Sequence, residues 1–223
     1  YIEEKVIAGS NFLNKIWNSA RYVLALLGEG FAPTKIEVQD LSSIDLHILH
    51  EHEKTIAAVT RNMDKYQFSM ALKHLYGFVY DDFCSRYLEM TKVTISLNDE
   101  KQTAATKQVL YKILKDIIIM MAPYTPFVAE ELYLALPSHL DSVMLEPFPQ
   151  QAKIKSSKTQ REAVEDLYQA ISDIRNYKVE RNLAPNYPIS IKIRAEGEPF
   201  ANFLRYLSRF AFAKNIAIGL EVS

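Results

Sequence analysis

The 223-residue chain has one cysteine, six glycines and no long apolar run. A single cysteine, Cys84, excludes an intrachain disulfide and a zinc site built from several thiolates, so nothing indicates an oxidising compartment. Six glycines are too few for a nucleotide-binding α/β enzyme with several phosphate loops. The longest apolar stretch, Ile117 to Ala122, is far shorter than the roughly 20 residues of a membrane helix. We therefore expect a soluble, cytoplasmic protein with no membrane partner.

Charge is distributed unevenly along a chain whose net charge is only −1. Residues 1–150 carry 14 Lys and Arg against 19 Asp and Glu, whereas residues 151–223 carry 12 against 8. The C-terminal third is therefore the basic part, and a basic surface is typical of contact with nucleic acid. Because the chain begins at Tyr1 without an initiator methionine, we expect it to be an excised domain.

The first two thirds of the sequence have the apolar periodicity of helices, with hydrophobic residues every three or four positions. This pattern predicts five helices, at Glu3–Leu27, Ser43–Met63, Ser69 to beyond Met90, Asn98–Met121 and Val128–Leu136. Gly28 and Gly30 should end the first helix. The short links between the helices predict a mainly α protein with an antiparallel helical bundle over residues 1–149.

A polar segment at residues 150–157 indicates a linker, so we place a domain boundary after residue 149. The rest of the chain, residues 150–223, alternates between helical and strand patterns and predicts a small α-β-α-β appendage. Its predicted elements are a helix ending near Asn182, a strand at 189–194, a helix at 199–212 and a strand at 217–222. A unit this small is expected to dock on the bundle.

Polar residues form a distinct group on the first helix. At about 100° per residue, Asn11, Lys15, Asn18 and Tyr22 fall opposite an apolar stripe, which consists of Leu13, Ile16, Ala20, Leu24 and Leu27. Such a face suits unstacked RNA bases, because the ring can stack, the amides can read base edges and the lysine can take a phosphate. A solvated helix face with one incidental tyrosine explains the same pattern, and periodicity alone favours that alternative.

The appendage contains a second set of cations that could hold an RNA backbone through salt-sensitive contacts. The set consists of Lys153, Lys155, Lys158, Arg161, Arg175, Lys178 and Arg181. Acidic residues are interleaved with them, so ordinary ion pairs within a helix are an equal alternative.

The sequence contains no catalytic constellation or metal-binding signature. His47, His50 and His52 lie close together, but helical spacing alone does not complete a metal site, and we expect them on a solvated helix face. Cys84 lies in an aromatic-rich helix, where it is expected to act as a small buried hydrophobe. We predict no catalytic residue, no metal site and no cofactor-binding site in this chain.

Four blocks of sequence resemble the anticodon-binding region of the valyl-tRNA synthetases, a family of class I aminoacyl-tRNA synthetases. The first is Gly9 to Leu24, with Asn-Phe, Asn-Lys, Trp-Asn and Arg-aromatic pairs in the order and spacing of the family. The others are residues 81–89, residues 122–132, and Ile174-Arg175-Asn176 with Glu180, Asn182 and Pro185. The isoleucyl and leucyl enzymes share the proline and Glu-Glu-Leu block, but the first block favours the valine family.

The resemblance implies that the full enzyme uses ATP with Mg to attach valine to tRNA(Val), while this piece holds the anticodon stem and loop. Lys15 and Tyr22 match the lysine and aromatic positions through which the family meets anticodon bases. Asn11, Asn18 and Arg21 are expected as their neighbours. The implied partners are tRNA(Val) and the rest of the synthetase chain, with the protein itself a monomer.

One departure from the family, and two segments that only look like catalytic signatures, limit what is carried over. Ser10 stands where the family usually has an arginine, so that arginine's contacts are not expected here. His47-Ile48-Leu49-His50 has a bulky leucine where the class I signature His-Ile-Gly-His has glycine. Lys153 to Lys158 follows the anticodon region, whereas the class I signature Lys-Met-Ser-Lys-Ser precedes it, so neither segment is the catalytic motif. We therefore expect this chain alone to be non-catalytic. The alternatives are the same domain of an isoleucyl or leucyl enzyme, or a helical scaffold for protein interaction.

Overall fold

The computed structural model describes residues 3–97, 99–152, 154, 156–193 and 203–218. The chain divides into two compact units, Tyr1–Lys155 and Ser156–Ser223. Within the described residues, no helix is both long enough and apolar enough to cross a lipid bilayer.

The first unit is helical, which confirms the predicted mainly α class. Its helices are α1 (Glu3–Leu27), α2 (Ser43–Asp64), α3 (Phe68–Gly77), α4 (Leu88–Ser96), α5 (Glu100–Met121) and α6 (Pro126–Leu134). A π-helical segment, Phe78–Tyr87, joins α3 to α4 without a break. The third predicted helix is thus one helical run with a π-helical middle, a register that apolar spacing does not reveal.

Local sequence explains where these helices begin and end. The hydroxyl of Ser42 accepts a hydrogen bond from the Asp45 backbone N–H at 3.1 Å, and the Asp45 carboxylate accepts one from the Ser42 N–H, so a capping box starts α2. Gly28, at φ 76°, turns the chain out of α1 as predicted. Pro126 is the first residue of α6, where its missing N–H costs nothing.

Helix α5 lies at the centre of the first unit and contacts α1, α2, α3, α4 and α6. Its buried side chains include Val109, Ile113 and Ile117. The prediction of a solvated face for the histidines was wrong for two of them, because His47 and His52 on α2 are both buried. Helix α2 contacts α3, the π-helical segment and α5, so more than one of its faces is covered. A polar histidine ring does not indicate in the sequence that its position is buried.

The second unit contains α7 (Lys158–Glu180), β1 (Ile189–Ile193), α8 (Leu204–Ala211) and β2 (Ala213–Ile218). The two strands pair in parallel, with Ile191 opposite Ile216. The last strand begins at Ala213, four residues before its predicted start, and residues 219–222 of that prediction lie outside the described residues. Phe212, at φ 51°, ends α8 and leads directly into β2, and neither glycine nor proline marks this turn in the sequence.

Candidate nucleic-acid interface

The predicted polar face of α1 lies beside the packed face of the helix and borders the π-helical segment. The buried side chains of α1 are Phe12, Ile16, Ala20, Val23 and Leu27. Leu13 and Leu24, which were predicted to be core, are only half-buried. This rotation of the buried stripe turns Lys15 and Tyr22 towards a neighbouring helix instead of directly away from the core.

Lys15 reaches across to the π-helical segment. Its ammonium donates a 2.7 Å hydrogen bond to the hydroxyl of Ser85 and lies 3.4 Å from the centroid of the Tyr80 ring. An ammonium over an aromatic face is attracted by the ring's quadrupole. Lys15 is therefore held by two contacts on an otherwise open surface.

A concavity of about 310 Å³ lies between α1 and the run formed by the π-helical segment and α4. We call it the seam concavity. Three of the predicted residues, Lys15, Asn18 and Tyr22, line its α1 side. Cys84 and Leu88 line the opposite wall. A cation, an amide and a tyrosine thus meet around one opening with an apolar wall.

Two charged residues of α4 also line the seam concavity. The Lys92 ammonium lies 5.4 Å from the centroid of the half-buried Tyr22 ring and 2.6 Å from a carboxylate oxygen of Glu89. The site therefore presents cations at Lys15 and Lys92, an amide at Asn18 and a hydrogen-bond acceptor at Glu89. Donors and acceptors beside an aromatic ring are the groups that read an unstacked base.

Cys84 is buried, as its sequence context predicted. Its sulfur accepts a 3.1 Å hydrogen bond from Ser19 on α1. Burial raises the pKa of the Cys84 thiol, an effect opposed by the Ser19 hydrogen bond and by the Lys15 charge. A neutral thiol is a poor nucleophile, so Cys84 contributes to packing at the seam.

Asn11 and Arg21 are exposed residues of α1, and the described lining of the seam concavity includes neither of them. The structure thus brings together three of the five residues predicted to meet the anticodon.

Sequence reasoning missed five residues of this surface: Tyr76, Tyr80, Ser85, Glu89 and Lys92. Tyr76 and Tyr80 are one helical turn apart, a spacing that predicts a shared face. Their rings are stacked, with centroids 5.5 Å apart and planes 5° from parallel. The spacing does not identify the helix they face, so their proximity to Lys15 could not be predicted.

The cations of the second unit have different surroundings. Lys158 forms a 3.4 Å ion pair with Glu162, and Arg161 donates to the Ser156 carbonyl at 2.6 Å. Arg175 is exposed. Lys153 and Lys155 lie outside the described residues.

Arg181 and Lys178 differ most in how far their charged groups are exposed to solvent. Arg181 is exposed, and its guanidinium lies 4.6 Å from the centroid of the Tyr177 ring. Lys178 is only 3% exposed, and its ammonium donates to the carbonyls of Pro185 at 2.9 Å and Ala211 at 2.7 Å. Desolvation lowers the pKa of Lys178. This burial argues against the predicted phosphate contact, because the ammonium already binds two protein carbonyls.

Comparison with known proteins gives two results. The family model for the anticodon-binding domain of tRNA ligase matches residues 45–193. Over 227 residues, the chain is 34% identical to the valine–tRNA ligases of Staphylococcus aureus strains JH9, Newman and JH1. These alignments cover 100% of the chain, α1 included, and 26% of each ligase. The chain thus spans about a quarter of the length of these relatives.

Proposed function

The chain belongs to the family of anticodon-binding domains of tRNA ligases, and we propose that it binds the anticodon stem and loop of tRNA(Val) as part of a valine–tRNA ligase. The observation that carries this proposal is the seam concavity, where Lys15, Asn18 and Tyr22 converge. The identity with valine–tRNA ligases along the whole chain supports the choice of tRNA.

In the proposed mechanism, an unstacked anticodon base stacks on Tyr22, while Asn18 and Glu89 read its edge. Lys15 and Lys92 neutralise nearby phosphates and make the affinity dependent on salt. Asn11 and Arg21 would meet flanking nucleotides from the exposed face of α1.

The proposed division of labour has residues 1–149 as the anticodon-binding bundle and residues 150–223 as an appendage. Arg175 and Arg181, together with Lys158 and Arg161, would hold the tRNA backbone. Lys178 is left out of this proposal because its ammonium is buried.

The complete ligase would attach valine to tRNA(Val) with ATP and Mg in the cytoplasm, as a monomer. The bundle would orient the tRNA so that its distant acceptor end meets the active site, a contribution to catalysis through geometry alone. We expect the 223-residue chain to give no valine-dependent pyrophosphate exchange, and an exchange signal from pure chain would contradict this.

A binding titration tests the proposed function. The chain is titrated with tRNA(Val), with tRNA(Val) carrying an altered anticodon, and with tRNA(Ile) and tRNA(Leu), at two salt concentrations. The proposal expects tightest binding to unaltered tRNA(Val) and weaker binding at high salt. Tighter binding to tRNA(Ile) or tRNA(Leu) would identify a different synthetase, and no binding at low salt would favour a protein-interaction scaffold.

A further inference from the structure

Lys15 lines the seam concavity, and its ammonium is held there by two residues of the π-helical segment, Tyr80 and Ser85. We propose that Tyr80 and Ser85 are positioning residues, which fix the Lys15 ammonium before RNA arrives so that it meets the anticodon loop in one geometry. This inference rests on the proposed function and extends it to two residues of the π-helical segment.

The first support is the geometry at the ammonium. Lys15 donates to the Ser85 hydroxyl at 2.7 Å while facing the Tyr80 ring at 3.4 Å from its centroid. A lysine ammonium has three N–H donors. With one N–H on Ser85 and one turned to the ring, a third remains for a phosphate or a base acceptor.

The second support is that the Tyr80 ring is itself fixed. Tyr80 stacks on Tyr76, and Tyr76 packs on Phe12 with 4.6 Å between ring centroids. Phe12 is a buried core residue, whereas Tyr76 and Tyr80 are 40% and 37% exposed. The three rings form a column that begins in the core and ends under the Lys15 ammonium.

The third support is the π-helical register. The Ser85 hydroxyl donates a 2.7 Å hydrogen bond to the backbone carbonyl of Tyr80, five residues earlier. Its only proton is thereby used, so the Ser85 oxygen faces Lys15 as an acceptor. The register thus joins Ser85 and Tyr80 into one receptor for the ammonium, and π-helical turns are frequent at functional sites.

Positioning affects affinity because a lysine side chain has large rotamer freedom. Fixing such a side chain during binding costs free energy, and a side chain already fixed in the free protein avoids that cost. Removing Tyr80 or Ser85 should therefore weaken RNA binding only while Lys15 is present.

The geometry is tested first on the free 223-residue chain by NMR. The Tyr80 ring current should shift the Hε protons of Lys15 upfield. Tyr80→Phe keeps the ring face and should keep this shift, whereas Tyr80→Leu should abolish it. If the upfield shift persists in Tyr80→Leu as well as in Tyr80→Phe, the Tyr80 ring does not cause it, and the inference is overturned without involving RNA.

A double-mutant cycle then tests the consequence for tRNA(Val) binding. Tyr80→Leu and Ser85→Ala should each weaken binding about 2- to 5-fold, as expected for a cation–π contact at an exposed site. Tyr80→Phe, which keeps the ring face, should bind tRNA(Val) as tightly as the unaltered chain. When Lys15 is already replaced by Ala, adding Tyr80→Leu should not weaken binding further. Phe127→Leu, at a 90% exposed ring on α6, is the matched control. Circular dichroism of each variant checks the fold.

The outcomes separate the two proposals. If Lys15→Ala weakens binding but Tyr80→Leu causes the same loss with and without Lys15, the positioning role is wrong and the proposed function stands. If Lys15→Ala leaves the affinity for tRNA(Val) unchanged, the proposed role of Lys15 fails, and the positioning role fails with it.

Discussion

The phenol of Tyr87 donates a 2.6 Å hydrogen bond to the carboxylate of Asp45, and both residues are buried. The same carboxylate accepts from Ser42 at the start of α2 and from Thr106 on α5 at 3.1 Å. One acidic side chain thus ties the π-helical segment to two other helices. Burial raises the pKa of Asp45, although each of these hydrogen bonds opposes the rise. The cluster thereby anchors Tyr87, the residue directly before Leu88, which lines the seam concavity.

Replacement of Tyr87 by Phe should lower the free energy of unfolding by about 1–3 kcal/mol, because a buried carboxylate loses a donor. Urea denaturation followed by circular dichroism measures the change. Tyr66→Phe is the control, since the Tyr66 side chain is 82% exposed and its loss of a hydroxyl should have little effect. Equal effects of the two substitutions would contradict the role of the Asp45 cluster.

His52 should make stability depend on pH. Two causes lower the pKa of His52 from 6.5 to about 3: burial of the ring is the larger, and the nearby Lys112 charge is the smaller. The unfolded state therefore binds a proton that the folded state does not, and the free energy of unfolding should fall as pH decreases from about 6.5 towards about 3. The slope can approach about 1.4 kcal/mol per pH unit.

Urea denaturation between about pH 5 and pH 7 checks this sign, with His52→Gln as the comparison. The substitution should flatten the dependence on pH. The Asp116 carboxylate, whose nearest oxygen lies 3.4 Å from His52 Nε2, is retained in both proteins, so its own titration contributes to both curves. Identical slopes in the two proteins would exclude His52 as the source.

Lys178 should be a stability residue and not an RNA-binding residue. Lys178→Met keeps an unbranched apolar side chain but leaves the carbonyls of Pro185 and Ala211 without this donor. We expect Lys178→Met to lower the free energy of unfolding of the second unit by about 1–3 kcal/mol. Hydrogen exchange in α7, α8 and β2 should become correspondingly faster. Arg175→Met, at an exposed position on α7, should leave exchange unchanged. Unchanged exchange in Lys178→Met would show that the buried ammonium is dispensable.

The exposed arginines of the second unit should carry part of the salt dependence of tRNA binding. The logarithm of the affinity falls linearly with the logarithm of the salt concentration, and replacing one phosphate-binding cation should make this slope less steep by about 0.7–0.9. We expect this change for Arg175→Gln and for Arg181→Gln, and no change for Lys178→Met. Salt titrations of the three variants measure it. Unaltered slopes for both arginine variants would remove Arg175 and Arg181 from the proposed contacts with the tRNA backbone.

Helix periodicity predicted the helices of the first unit well, and local signals fix two of their ends, since α2 begins after the Ser42 cap and α1 ends at Gly28. Apolar residues at intervals of three and four report burial directly. Polar residues report it poorly. His52 and Lys178 are buried because tertiary neighbours surround them, and their own side-chain chemistry gave no sign of this.

The sequence predicted the residues that α1 contributes to the candidate site but not those that the π-helical segment and α4 contribute. Lys15, Asn18 and Tyr22 share one helix, so their spacing groups them. Tyr80 and Lys92 come to the same place from a distant part of the chain, through the π-helical register and the packing of α1 against it. A single helical projection contains no information about such a partner.

Recognition of the anticodon at the seam concavity is tested most directly by the affinity of Tyr22→Ala for two RNAs. These are tRNA(Val) and the same tRNA with an altered anticodon, with Phe127→Ala as the matched control. We predict that Tyr22→Ala loses about 1–3 kcal/mol of binding free energy for tRNA(Val). This variant should also discriminate less between the two RNAs, while Phe127→Ala behaves like the unaltered chain. Full discrimination between the two RNAs by Tyr22→Ala would show that the anticodon is recognised elsewhere and not at the seam concavity.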